Sequence, residues 1–240
     1  MAEQKLILVV DDDRELVDAV RGGHSVRGEY HPMTARFTVL ASGSGGNASL
    51  LELDGFGLLI DCGLHPRFLT ARLQAVGAMW DRISAVVLTH THTDHWKDAT
   101  LAELRARRIP MYAHPKHYAY MERAASFAAY SAAGLTREYA DGRLIELAKN
   151  LTCLPIRVSH DSVPTYAFRI DGLDGEPAPA WSIGYAADLG CSSPELISAF
   201  AGVDVLALEY NHDEMMERNS PSRTSRAWVS TTTRARSGTR

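Results

Sequence analysis

The sequence predicts a mixed α/β fold in which two sheets pack face to face with helices outside. Three observations predict it. Short runs rich in β-branched and apolar residues recur along the chain. Segments with apolar residues at helical spacing alternate with them. Hairpin connections come early and helical crossovers come later.

The elements follow in order. Leu6-Ile7-Leu8-Val9-Val10 reads as a buried strand, with Asp11-Asp12-Asp13 and a helical stretch around 15–20 behind it. This start resembles the first strand, acidic cluster and first helix of a response-regulator receiver domain. The likeness breaks off at Gly22-Gly23, so 1–35 is expected to be a receiver-like fragment or extension without receiver activity. Residues 36–41 read as a strand, and Ser42-Gly43-Ser44-Gly45-Gly46-Asn47 as a tight loop of small residues. Residues 49–53 and 56–60 form a hairpin around Asp54-Gly55. Phe68, Leu69, Leu73 and Val76 fall at helical spacing within 65–76. A buried strand at 83–88 is followed by a helix at 100–107, a short strand at 110–113 and a mostly helical stretch at 116–133. Strands at 151–158, 165–170 and 181–185 come next. A helix at 193–200, opened by Pro194, and a last strand at 203–208 complete the body, which spans 36–212. Residues 213–240 lose all apolar period and are expected to form a basic, disordered tail.

Charge and cysteine usage narrow the function classes. The net charge is −4, but six arginines and no acids lie between Arg218 and Arg240. The chain up to Glu217 therefore carries 19 basic and 29 acidic side chains, a net of −10. Such a body does not attract nucleic acid electrostatically. Cys62, Cys153 and Cys191 are few, odd in number and widely spaced, which predicts reduced thiols in a cytoplasmic protein rather than a disulfide framework. No apolar run approaches the ~18 residues of a membrane span, so no membrane partner is expected.

The chemistry concentrates in His90-Thr91-His92-Thr93-Asp94-His95, directly after the 83–88 strand. A strand ending in a turn aims closely spaced side chains at one point. Imidazoles and carboxylates are good ligands for Zn²⁺ and similar ions. Four ligands within six residues exceed what one open tetrahedral site needs, which points to two adjacent divalent metal ions, Zn or Mn. His160 follows the 151–158 strand, and Asp188 lies just past the 181–185 strand. The order HxHxDH, then His, then Asp makes both of them candidate ligands.

In these residues the chain resembles the metallo-β-lactamase-fold hydrolases, over about 36–212. The resemblance implies an αββα four-layer sandwich with the metals at one edge of the sheets. It implies that His90, His92 and His160 hold the first ion, that Asp94 and His95 hold the second, and that Asp188 bridges them. Asp94 is the implied catalytic residue, orienting the attacking water and taking its proton. Asp61 is expected beside a ligand histidine. Ser42, Ser44 and Asn47 are expected near substrate phosphate, and Asn211 and His212 near the substrate or the second ion.

A narrower likeness rests on Phe37 through Ala48, on Ile60-Asp61-Cys62-Gly63-Leu64, on His160-Asp161 with Val163-Pro164, and on Leu208-Glu209-Tyr210-Asn211-His212-Asp213. These segments are similar to the YycJ/WalJ branch. That branch implies a bacterial 5′-to-3′ DNA exonuclease and a link to a two-component signalling system. The family also carries a late histidine for the second ion, whereas here only His212 follows His160. The chain is therefore expected to lack the C-terminal end of the fold. Two other readings stay open: a small-molecule hydrolase of thioesters, lactones or cyclic phosphodiesters, and a catalytically impaired regulatory homologue.

Overall fold

The computed structural model describes residues 6–10, 17–21, 35–160 and 164–209. The first half of the chain builds one sheet of seven strands: β2 (Val17–Arg21), β3 (Ala35–Ala41), β4 (Ala48–Leu53), β5 (Phe56–Ile60), β6 (Ile83–Val87), β7 (Met111–Ala113) and β8 (Thr136–Glu138), in that spatial order. The other sheet has six strands, ordered β1 (Leu6–Val10), β13 (Val205–Glu209), β12 (Trp181–Ala186), β11 (Thr165–Gly172), β10 (Leu151–Val158) and β9 (Ile145–Ala148). Strands β2 to β5 pair antiparallel in order, and β4 and β5 are joined by the two-residue turn Asp54-Gly55, where both residues have positive φ. The parallel pairs β5–β6 and β12–β13 are closed by helices α1 (Pro66–Ala75) and α5 (Pro194–Phe200).

Period-two alternation sends the side chains of each strand to two different places. Phe37, Val39, Leu51, Leu58, Ile60 and Val87 of one sheet face Tyr166, Phe168, Ile170, Ile183 and Tyr185 of the other in a shared buried cluster. The opposite faces of the first sheet put Leu40, Leu50, Leu59 and Val86 against α1, α2 (Asp98–Arg107), α3 (Pro115–Met121) and α4 (Phe127–Ala132). Ile156, Val158 and Ala186 of the second sheet cover Leu196 of α5. The layers are thus helix, sheet, sheet, helix. Truncating a fully buried Ile60 or Phe168 to alanine removes about 2–5 kcal/mol.

Three expectations differ from the structure. Residues 17–21 are a strand, not part of a helix. They pair antiparallel with β3, while β1 pairs parallel with β13, so each of the two early segments adds a strand to a body sheet. A helix of only a turn or two cannot hold itself together in isolation, and a sheet edge supplies partners for the same backbone groups. Asp11, Asp12 and Asp13 lie outside the described residues. The stretch 116–133 is two short helices rather than one, with Asp98 Oδ1 accepting from the Ser126 N–H at 2.8 Å where the second begins. Strands β8 and β9, of three and four residues, carry too little pattern to be read from sequence.

Among the described residues no helix is long and apolar enough to cross a membrane.

Candidate metal centre

Strands β3, β5, β6, β10 and β12 run in the same sense within their respective sheets, and each ends in a loop that carries a candidate residue. β6 ends at Val87, and the chain continues through Leu88 and Thr89 to His90. Tyr139 Oη donates to the Leu88 carbonyl at 2.7 Å, and the Tyr166 N–H donates to that of Thr89 at 3.1 Å, which pins this exit. β10 delivers His160, and β12 delivers Asp188, which has positive φ (49°). Gly190 lets its loop close on β10. A Cβ there would stand 2.5 Å from the Ser159 carbonyl oxygen, which accepts the Gly190 N–H at 2.9 Å.

These loops bring His90, His92, His160 and Asp188 together. Each offers one ligand atom, and the four atoms lie within 4.8 Å of one another. His95 and Asp94 stand alongside: His95 Nε2 is 2.8 Å from Asp188 Oδ2 and 3.6 Å from Asp94 Oδ2. The same Asp188 oxygen is 3.2 Å from His90 Nε2. Asp188 therefore lies between a histidine of each group.

Asp61 is fully buried behind this cluster, at positive φ (61°). Its Oδ2 meets His95 Nδ1 at 2.7 Å. Its oxygens also accept the Thr89 N–H at 2.8 Å and the Thr89 hydroxyl at 2.8 and 3.0 Å. A carboxylate on Nδ1 fixes the His95 ring and leaves Nε2 facing the cluster. Burial opposes a charge on His95, but Asp61 and Asp188 outweigh it and hold its pKa up to about 10. Burial acts in the other sense on the Asp188 carboxyl, yet hydrogen bonds and charge from His90 and His95 keep it well below the usual carboxylate range. Burial also lowers the pKa of His90, and there Asp188 only partly compensates.

A divalent cation fits this donor set. His90 Nε2 is sealed from solvent with no hydrogen bond of good geometry, the sort of nitrogen whose desolvation a metal ion offsets. Three imidazoles and a carboxylate match Zn²⁺ or Mn²⁺ in chemistry.

Asn47 is buried beside Asp94 and His95. Its Nδ2 is 3.3 Å from Asp94 Oδ2 and 2.9 Å from His95 Nε2. Ser42 lines a small gap between the sheets with Asn47 and Tyr185, and Ser44 is exposed at the turn. The loop commits the N–H groups of Gly43, Gly46 and Asn47 to the protein itself, to Asn47 Oδ1, the Gly43 carbonyl and the Asp94 carbonyl. Asn211 and His212 lie outside the described residues. Sequence reasoning did not single out Thr89 or Gly63 by role. A Cβ on Gly63 would stand 1.6 Å from the Asp94 carbonyl oxygen, so only glycine fits. The one signal for it was its place directly after Asp61-Cys62.

The family described as "Beta-lactamase superfamily domain" matches residues 57–236, three-quarters of the chain. The chain belongs to this family. The match runs past 212 into the stretch read from composition as a patternless tail. Among curated relatives, the exodeoxyribonuclease WalJ of Streptococcus pneumoniae is 26% identical over 183 residues, covering 74% of this chain and 63% of its own. The exodeoxyribonuclease YycJ of Bacillus anthracis is 34% identical over 90 residues, 38% of this chain and 34% of its own. The chain thus spans under two-thirds of the length of these relatives. Among solved structures, Zn²⁺-bound PqqB from Methylobacterium extorquens superposes with a TM-score of 0.55 at 21% identity, covering 72% of this chain and 63% of that one. The fold is that of the metallo-β-lactamases, as the HxHxDH resemblance implied.

Proposed function

We propose that this member of the superfamily is a dinuclear-metal hydrolase that cleaves phosphodiester bonds, with DNA degraded from the 5′ end. The observation that carries the reading is the position of Asp188 between His90 and His95, 3.2 and 2.8 Å from one Oδ2. One carboxylate between two ligand groups is the arrangement a pair of cations needs. The names of the WalJ and YycJ relatives supply the nucleic-acid substrate.

His90, His92 and His160 would hold one ion, Asp94 and His95 the other, with Asp188 shared. Bound there, two divalent cations supply Lewis acidity that makes water nucleophilic near neutral pH and offsets charge on a phosphoryl group. The protein's own part is orientation and proton handling. Asp61 and Thr89 fix the His95 ring. The Asp94 carboxylate, partly exposed and steered by Asn47, is placed to accept a proton from the attacking water. The sealed sheet edge behind His90 and His95 keeps bulk solvent from the far side of the ligands.

The test is hydrolysis of duplex DNA labelled at either the 5′ or the 3′ end, with Mn²⁺ or Zn²⁺. A thioester, a lactone and bis-p-nitrophenyl phosphate are run in parallel. Immediate release of mononucleotide from the 5′ label supports the proposal. Intact DNA with turnover of a thioester or lactone overturns it in favour of small-molecule hydrolysis. A two-component link, resting on the YycJ/WalJ-like segments of the sequence, and a cytoplasmic location, resting on the few, widely spaced cysteines, belong to the same reading.

A further inference from the structure

We infer that Asn47 is a positioning residue that assembles the Asp94–His95 half of the centre. Each polar group of Asn47 is committed. Its N–H donates to the Asp94 carbonyl at 2.6 Å, and its carbonyl accepts the Gly63 N–H at 2.9 Å. Its Oδ1 accepts the Gly43 N–H at 2.8 Å, which orients the amide and turns Nδ2 towards Asp94 Oδ2 at 3.3 Å; the 2.9 Å approach of Nδ2 to His95 Nε2 gives way when that nitrogen's lone pair takes an ion, and the donation to Asp94 remains. The reversed amide would set Oδ1 against the Asp94 carboxylate and an NH₂ against the Gly43 N–H, so the network admits one orientation only. The residue is 3% exposed, and an uncompensated amide there is costly. Its surroundings are built to hold it: Gly46 has φ +143°, and a Cβ there would meet the Gly63 carbonyl oxygen at 2.6 Å.

Asn47 thus joins three loops, 42–47, 61–63 and 90–95, at the two ligands whose half of the centre is the sparser. His90, His92, His160 and Asp188 converge without it. Asp94 is partly exposed, and its carboxylate has Nδ2 as a fixed donor. Asn47 therefore governs the second ion and not the first. The inference rests on the ligand assignment but not on the substrate.

The test is calorimetric titration of the chelator-stripped full chain with Zn²⁺ or Mn²⁺ alone. In Asn47→Ala the weaker ion loses at least tenfold in affinity, while the tighter ion stays within threefold. Asn47→Ser, which keeps a polar group but cannot span Gly43 and Asp94, gives the same split if the alanine variant folds poorly. His92→Ala serves as the control on the ligand assignment, because it removes the tighter ion. The melting temperature of the stripped variants reads loop stability separately. A purely structural Asn47 would lower that temperature and leave the ratio of the two affinities unchanged. That result overturns the inference, as do equal weakening of both ions and a wild-type chain that holds only one.

Discussion

Gly63→Ala places a methyl group where the backbone leaves no room for one. The new Cβ would lie 1.6 Å from the Asp94 carbonyl oxygen, 2.2 Å from its carbon and 2.8 Å from the His95 nitrogen, whereas real Cβ contacts stay beyond 3.0 Å. Relief needs the Asp94 carbonyl to retreat until the oxygen contact has opened from 1.6 Å to at least 3.0 Å. That movement breaks the Asn47 N–H bond to Asp94 (2.6 Å) and strains the neighbouring Cys62 N–H bond to His95 (2.8 Å). Two backbone bonds at about 1 kcal/mol each, with an overpacking cost of about 1–3 kcal/mol, give a loss of about 3–5 kcal/mol. Asp94 and His95 move with the backbone, so bound metal falls as well. Gly45→Ala is the matched control in the adjoining loop: its Cβ meets nothing within 4 Å. Thermal melting with elemental analysis of the purified chains reads both effects. A Gly63→Ala chain that melts with the wild type and keeps its metal would refute the steric account of this loop.

His92→Ala is expected to abolish hydrolysis and remove the tighter ion while changing the chelated protein's melting temperature little, since the ring is only half-buried; melting and metal analysis check it. His117 is buried, with Nε2 against the Pro164 carbonyl at 2.6 Å and Nδ1 accepting the His114 N–H at 3.3 Å, and burial pushes its pKa down to about 4. Between pH 6.5 and 4 the unfolded chain binds the extra proton, so stability falls as pH falls, by about 2 kcal/mol at pH 5 relative to neutrality. Glu or Asp changes elsewhere are cancelled by comparing slopes with His117→Gln, which should lose this component in a urea-denaturation series. DNA cleavage at subsaturating substrate is expected to respond weakly to salt, with a log–log slope shallower than about −3, because the described cleft beside the centre carries one arginine against two acids; a slope of about −8 would contradict it.

The described body was legible where the sequence carries period and punctuation. Residues 36–60 announce a strand, a loop and a hairpin through apolar runs broken at Gly43–Asn47 and Asp54-Gly55, and the structure has them within a residue or two. What failed depends on partners distant in sequence. Val17–Arg21 is a strand because β3 lies beside it. Nothing local ends α3, since residues 122–126 contain good helix formers. Tertiary bonds end it instead: Tyr118 Oη reaches the Met111 carbonyl, and Asp98 reaches Ser126. The candidate site was legible for a different reason. Metal ligation demands particular side chains, so HxHxDH, His160 and Asp188 could be named as candidates without knowing how loops so far apart along the chain would meet. The glycines that let those loops approach each other have no such chemistry. Gly63 and Gly190 are visible only once the facing carbonyls of Asp94 and Ser159 are in place.

The charge distribution sets how the proposed nuclease could engage its substrate. A body of net −10 up to Glu217 repels a polyanion laid along its surface. Attraction is then left to the arginines of 218–240 and, at the site itself, to the cations that the His–Asp cluster is suited to hold. The cluster opens at one edge of the sandwich, beside a polar cleft of about 440 Å³ lined by Arg157, Ser159, His160 and Ser193 together with Asp141 and Glu195. Arg157 is the cleft's one arginine, set against two acids. A duplex gripped along many phosphates needs a basic track, and the described face around the centre offers none in this cleft. A strand end presented to the metals needs only the few contacts nearest the broken bond. If the proposed DNA cleavage holds, an acidic cleft with one cation-binding edge suits a strand end better than a duplex gripped along its length.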